Sequence, residues 1–269
     1  FELKARYQGK VRDNFSYFAE AGTWYAMSHV DEQGEDVKPE SYLYKKGNSV
    51  WKPIVLEADG YYTANDFDSN GKLNANLPQP RFGRVAPGDI KYKDYNNDQV
   101  VDENDAHPIG NSTVPAWNYM FSGGFKYKGF DFSVMFQGVA QRDIYLRGAN
   151  IYSFQNNGTA SNLALDSWTP THTDASYPRL STMNFSNNYR TSTFWRRNGS
   201  FLRLRNVQVG YELANSVTRA LRLSSVYFYV NATNLFTLDH LGKLGDAEQD
   251  NLLSYPLMRT VSVGLKLAF

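Results

Sequence analysis

The chain has 269 residues with 28 basic and 27 acidic side chains, a net charge of +1, so nothing in its charge points to nucleic acid or to an acidic partner. Aromatic residues make up 15% of it, led by 19 Tyr and 17 Phe, on a mean hydropathy of −0.53; this suits amphipathic rings at a membrane–water boundary better than a soluble core. The absence of cysteine excludes disulfide scaffolds, thiolate metal sites and Cys nucleophiles, and no run approaches the roughly 18 apolar residues of a membrane-spanning helix.

The chain opens on Phe1-Glu2-Leu3-Lys4 with no start methionine, basic region or apolar leader, which reads as an internal point of a longer precursor. From there, period-two alternation marks strands. In chain order they are Phe1 to Gln8, Phe15 to Ser28, Trp117 to Tyr127, Phe130 to Gln137, Val207 to Tyr211, Val226 to Ala232 and Val261 to Phe269. These seven runs stand within an expected total of about eight strands, most near the 9–11 residues that cross a bilayer at a tilt. Their connections alternate between short (Lys128-Gly129, Glu212 to Ser225) and long (29–116, 140–199, 237–259). All long loops therefore fall at one end of the sheet and all short turns at the other, as in outer-membrane barrels with extracellular loops and periplasmic turns. The expected fold is all-β: one transmembrane antiparallel β-barrel domain over 1–269, closed by the strand 260–269.

Three residue patterns carry candidate roles. In the last strand, Val261, Val263, Leu265, Leu267 and Phe269 share one face, and Ser262, Gly264, Leu267 and Phe269 resemble a barrel assembly signal. Such a strand must pair, because open sheet edges do not persist in lipid. In the loop 29–116, the segment 94–105 places side-chain oxygens of Asp94, Asn96, Asp98, Asp102 and Asp105 at positions 1, 3, 5, 9 and 12, with the Val100 carbonyl at 7. That is the spacing of a calcium loop, Ca²⁺ preferred over Mg²⁺, serving to stiffen a long loop. Val101 falls where an apolar residue pins the loop; Gln99 replaces the usual glycine, and Asp105 the longer Glu. A bound divalent cation is the expectation, with a solvated acidic turn as the alternative.

The third pattern runs from Ser192 to Asn206, where Arg196, Arg197, Arg203 and Arg205 alternate with aromatics and leucines. These arginines face a polar substrate, a plug or anionic lipid; for Arg203 and Arg205 the simplest expectation is pairing with carboxylates of neighbouring strands. Trp168, Tyr177 and Trp195, with Arg196 and Arg197, are candidates for contact with a substrate or a lid protein; packing within the loops is the alternative. Catalytic patterns do not emerge, since His29, His107, His172 and His240 are scattered over the loops and Glu35-Asp36 sits in a polar run. No enzyme is expected.

Several blocks together resemble one family. Pro87-Gly88-Asp89-Ile90-Lys91-Tyr92, Tyr127-Lys128-Gly129-Phe130, Phe136-Gln137-Gly138, Tyr177-Pro178-Arg179, Ser200 to Val207, Asn231-Ala232-Thr233-Asn234-Leu235-Phe236 and Tyr255-Pro256-Leu257-Met258-Arg259-Thr260 follow in order up to the closing strand. This series resembles the SusC/RagA family of TonB-dependent transporters from Bacteroidetes; residues 1–86 match it only loosely. The resemblance implies the last part of a barrel of ~22 strands with a plugged lumen. It further implies the outer membrane of a Gram-negative bacterium and import of an oligosaccharide or peptide energised through TonB. The partners implied are a SusD-like lipoprotein lid, outer-membrane lipid, and an N-terminal plug and further strands lying outside this sequence. A calcium-stabilised adhesin or structural barrel without transport is the alternative, and a soluble β-rich carbohydrate-binding or hydrolytic domain a third.

Overall fold

Period-two alternation builds seven long strands: β1 (Glu2–Val11), β2 (Phe15–Tyr25), β3 (Trp117–Tyr127), β4 (Phe130–Ala140), β5 (Phe201–Glu212), β6 (Ser225–Thr233) and β7 (Thr260–Ala268). The computed structural model describes residues 1–11, 14–182, 187–220, 222–249 and 254–269; parts of the 140–199 and 237–259 loops and of the Glu212 to Ser225 connection lie outside the described residues. Each strand pairs antiparallel with its successor in one meander. β1 and β7 form the two edges of this sheet and, among the described residues, do not pair with each other.

The register sorts the side chains into two unlike faces. Val11, Phe15, Tyr127, Phe130, Tyr211, Phe228 and Leu265 stand opposite one another across all seven strands, near the end of the short turns. The same face carries Leu3, Tyr7, Phe121, Val209, Val230 and Val263, all solvent-exposed, with Val263 at 80%. The opposite face reads Gln8, Phe18, Gly124, Ser133, Gln208, Asn231 and Ser262 along one row. A continuous apolar face of this size is stable only against lipid, and the aromatic row at its margin forms the girdle of a membrane barrel. These are transmembrane strands. Among the described residues no helix is long and apolar enough to cross a membrane.

The eighth strand of the sheet differs from expectation. Thr237–Asp239 pairs with Phe201–Arg203 of β5, continuing the line of β6 after an interruption at 234–236. Two irregularities oppose each other there. β5 bulges between its pairings with Met135 and Phe136, so that Arg205 is the extra residue, and Asn234 takes a left-handed φ of 54°. The bulge also explains why β5 starts at Phe201 and not near Val207. The polar doublet Arg205-Asn206 shifts the alternation by one, so Leu202 and Leu204 share a face with Val207 and Val209.

Short connections close the sheet at one end: among the described residues these include Lys128-Gly129, with both φ angles positive (47° and 84°), and the link from β5 to β6 that carries the helix α1 (Asn215–Ala220). At the other end the long loops are folded. Ile54–Val55 pairs with His107–Pro108, Ala58–Tyr61 with Ile90–Tyr92, Gln79–Pro80 with Val100–Val101, and Asp143–Tyr145 with Arg196–Asn198.

In the expected assembly strand β7, the apolar side chains lie on the lipid face and Gly264 on the other. A Cβ added to Gly264 falls on the ring of Tyr229, whose neighbour Tyr227 stacks with it at 5.7 Å. Gly264→Val in the full-length protein should therefore cost about 1–3 kcal/mol by overpacking and lower the folded fraction recovered in detergent, read by heat-dependent gel mobility. Combining it with Tyr229→Ser should recover part of the loss. Equal folding of Gly264→Val and the parent would show that the ring yields freely.

Candidate functional site

Two places gather the side chains with functional potential: the cap formed by the long loops, and the polar face of the sheet beneath it.

The cap owns most of the buried apolar residues. Leu56, Phe82, Ile90, Tyr92, Val101, Leu146, Ile151, Tyr152 and Trp195 form one cluster drawn from both long loops. At its centre is Asp89, 1% exposed. Arg179 grips it with two nitrogens, at 2.8 and 3.0 Å. The Asn188 amide and the Ala86 backbone N–H complete the shell at 2.8 and 2.7 Å. Asn188 in turn accepts the Ile90 N–H, and Asn187 donates to the Ile90 carbonyl. Tyr92 and Trp195 donate to the carbonyls of Asn187 and Asn188. The sequence blocks around Pro87-Gly88-Asp89 and Tyr177-Pro178-Arg179, far apart in the chain, are thus two halves of one buried contact. The detectable signal was a lone carboxylate between a glycine and an isoleucine.

The polar face forms a concavity of about 1210 Å³ toward the short turns, lined among others by Arg6, Lys10, Lys126, Asp131, Gln208 and Lys266. Tyr227 donates to Asp131 at 3.1 Å and accepts from Gln208 at 3.1 Å. Lys4 and Arg6 both reach Glu20. Toward the long loops, residues 241–248 fold back against this face. Leu241 and Ala247 cover Val139, Ile144 and Phe201. Arg142 donates to the Ala247 carbonyl at 2.5 Å. Arg203, 3% exposed, donates to Asp246, to Glu248 at 3.0 Å and to Thr237 at 2.9 Å. Arg205 reaches both Glu248 oxygens, at 2.7 and 3.0 Å, and the Asn234 side-chain Oδ1 at 3.2 Å. Burial pushes the Asp246 carboxyl up, but the Glu248 amide and the Arg203 guanidinium outweigh it and hold the group below the usual carboxylate range. The arginines do pair with carboxylates, as the simplest expectation had it, but the partners come from the folded-back loop and not from a neighbouring strand.

The expected contact residues are placed otherwise than for display. Trp195 is 2% exposed and packs against Phe194 and Tyr152 at 4.8 and 5.0 Å. Tyr177 is half-buried beside it at 6.2 Å, and the Trp168 ring lies over Gly88, where a Cβ would strike it. Arg197 donates to the carbonyls of Phe194 and Arg196, and Arg196 lies 3.9 Å from Asp143. These five residues hold the loops together, which accounts for their aromatic and basic character.

The acidic segment is a tight coil of self-contacts. Asp94 accepts the N–H groups of Asp98 and Gln99, Asn96 accepts that of Asp98, and Asp98 that of Val100. Asp105 accepts from the backbone of Tyr95, Asn96 and Asp102; burial nevertheless raises its pKa against those three bonds. Asp102 caps the turn at Asn104 and lies 3.5 Å from Arg81. Gln99 adopts φ 66°, the conformation for which such a loop normally uses glycine, and Val101 is 1% exposed and pins the segment alongside Pro80. Among the described residues no group of three acidic or histidine side chains converges as a metal centre.

Arg179→Ala leaves the Asp89 carboxylate buried without its cation, a change that costs about 3–5 kcal/mol where a buried pair is broken. The expected result is faster proteolysis of both long loops in the full-length protein, with no change in the sheet signal by circular dichroism. Arg179→Lys should recover only part, since an ammonium cannot reproduce the two-nitrogen grip. Loops of unaltered protease resistance in Arg179→Ala would refute the assignment of Asp89–Arg179 as the organiser of the cap.

No family model matches the chain. Over 253 residues it is 25% identical to TonB-dependent receptor P3 of Formosa agariphila, an alignment covering 88% of this chain and 24% of the relative. Over 298 residues it is 25% identical to TonB-dependent receptor P39 of the same organism, covering 95% of this chain and 28% of the relative. The chain thus spans about a quarter of the length of the curated relatives it matches. Among solved structures, all of it superposes on the RagAB peptide importer in its closed-closed state, with a TM-score of 0.68, 17% identity and 29% of that chain covered. The open-open state gives a TM-score of 0.65 at 18% identity over 28% of that chain. Motif order, relatives and fold converge, and the chain is similar to a portion of the barrel of SusC/RagA-like TonB-dependent transporters.

Proposed function

We propose that the chain supplies wall and extracellular cap to an outer-membrane importer, which takes up a polar oligomer, an oligosaccharide or a peptide, with energy delivered through TonB. The observation that carries the reading is the division of one sheet into a lipid face and a polar face, the latter overhung by a folded cap. A polar lining is what a hydrophilic cargo needs in order to pass a hydrocarbon layer. The long loops then face outward and the short turns the periplasm, and a SusD-like lipoprotein closes over the cap. A plug from the rest of the polypeptide fills the lumen against the polar face. The names of the relatives, receptors and importers, support transport over an adhesin or purely structural barrel, and no enzymatic step enters the reading.

Uptake decides it. Cells producing the full-length protein should accumulate a fluorescently labelled oligomer mixture, and accumulation should fall to background when TonB is deleted or the lipoprotein gene is removed. Fractionating the mixture into glycans and peptides assigns the cargo class. Surface retention of label with no TonB-dependent entry would favour the adhesin.

We further propose that a divalent cation, Ca²⁺ before Mg²⁺, is held by Asp94, Asn96, Asp98, Asp102, Asp105 and the Val100 carbonyl. Support comes from Gln99, which pays the strain of a left-handed turn at the sixth position. Binding requires Asp102 to turn from Arg81 and Asp105 to share its oxygens with the cation. Protease cleavage within 29–116 should accelerate severalfold when a chelator strips the cation, and Asp94→Ala with Asp98→Ala should abolish that difference. Identical cleavage with and without chelator would leave a self-bonded acidic turn.

A further inference from the structure

Arg203 and Arg205 have the geometry of a binding site for a carboxylate. Arg205 meets both oxygens of Glu248 with two nitrogens, at 2.7 and 3.0 Å, and Arg203 adds a third contact to the same group at 3.0 Å. Such a fork is the arrangement in which guanidinium groups recognise planar anions. The two carboxylates of the cluster are not equivalent. The Asp246 side chain is 8% exposed and fixed by Arg203 and by the backbone of Glu248 and Leu257; it is the standing counter-ion. The Glu248 side chain is 29% exposed, as is that of Arg205. It belongs to a loop, whereas its partners belong to the wall.

Arg203 and Arg205, two residues apart, share the polar face by simple alternation, and the bulge at Arg205 is what brings Gln208 onto that face as well. Thr237 and Asn234 hold the guanidinium groups from the other side, so the site is built into the wall and does not depend on Glu248 for its shape.

We infer that Arg203 and Arg205 form a carboxylate-binding site on the inner wall, which Glu248 fills from within the chain and which an acidic oligomer occupies by displacing it. Exchange removes one tether of the folded-back loop and leaves those at Asp246 and Ala247. The loop thereby loosens only when an anionic group has arrived at the wall. Carboxylates of this kind occur on uronic-acid glycans and at the ends or side chains of peptides. The inference rests on the importer reading for its cargo, but it concerns equilibrium binding and is tested without TonB.

Isothermal titration of the full-length protein in detergent uses trigalacturonate and N-acetyl-trialanine, with galactotriose and N-acetyl-trialanine amide as their neutral counterparts. At least one carboxylate probe should bind at least tenfold more tightly than its neutral counterpart. The arm that responds names the source, and response in both names carboxylate alone. Glu248→Gln removes the internal competitor and should tighten the responding probe roughly tenfold, because apparent affinity scales with the fraction of open sites. Glu32→Gln, the same charge change at an exposed residue of the 29–116 loop, should leave it unaltered. Arg205→Gln should weaken the responding probe to the level of its neutral counterpart, and a saturating carboxylate probe should speed tryptic cleavage at Lys243 in the parent protein. Equal binding of charged and neutral probes, no binding by any probe, or no difference between Glu248→Gln and Glu32→Gln would overturn the inference. Each of those failures leaves TonB-dependent uptake to be judged separately.

Discussion

A single sheet has no inside of its own, and every other feature of this chain answers to that constraint. The ladder satisfies the backbone of each strand, but it provides nothing to cover the side chains. Leu3, Tyr7, Val209, Val230 and Val263 are bare on one face because lipid is their proper neighbour. The other face is polar, as the side of such a sheet turned away from lipid requires. Burial of the ordinary kind, worth about 25 cal/mol per Å² of apolar area, is therefore displaced into the connections. The long loops are the globular part of the molecule.

That displacement explains why polar contacts are so dense in the cap. A loop core has few long ladders with which to satisfy its backbone, and buried amides must find partners elsewhere. Asn187 and Asn188 take this task, donating and accepting at Ile90 while their own carbonyls receive Tyr92 and Trp195. Asp89 and Arg179 set the register of the two loops. A buried ion pair adds little stability over an apolar substitute, but an unmatched one is costly, and so it selects a single arrangement. The same logic operates lower down, where Arg142 and Arg203 fix the folded-back loop on the wall.

The legibility of the structure in the sequence follows the same division. Trp117–Tyr127 is found to the residue because alternation is uninterrupted and a turn with two positive φ angles follows at once. Within β5 clean alternation is legible only from Val207, because the Arg205-Asn206 doublet breaks the period that identifies a strand; a doublet of polar residues between two alternating runs is the mark of a bulge. The continuation of β6 at Thr237–Asp239 is hidden for a related reason, the left-handed Asn234 that interrupts it. Pairings between distant blocks, Asp89 with Arg179 or Arg205 with Glu248, leave no periodic trace at all. Their members are visible as residues but not as partners.

Aromatic loop residues in such a barrel therefore carry a different prior from those in a soluble protein. Where strands supply a core, an aromatic ring in a loop is spare and suggests a ligand. Here the strands supply little beyond Val139 and Phe201, and Trp195, Tyr152, Tyr177 and Phe194 are recruited to make one, with ring centroids 4.8 to 6.2 Å apart. In the proposed importer, recognition falls to groups that the core cannot use, the charged and amide side chains of the inner wall. Gln208, Asn231, Arg203 and Arg205 stand on rigid strands, and rigid elements hold such groups more accurately than loops do. In the proposed importer the cap shapes the entrance, while the strands hold the groups that meet cargo.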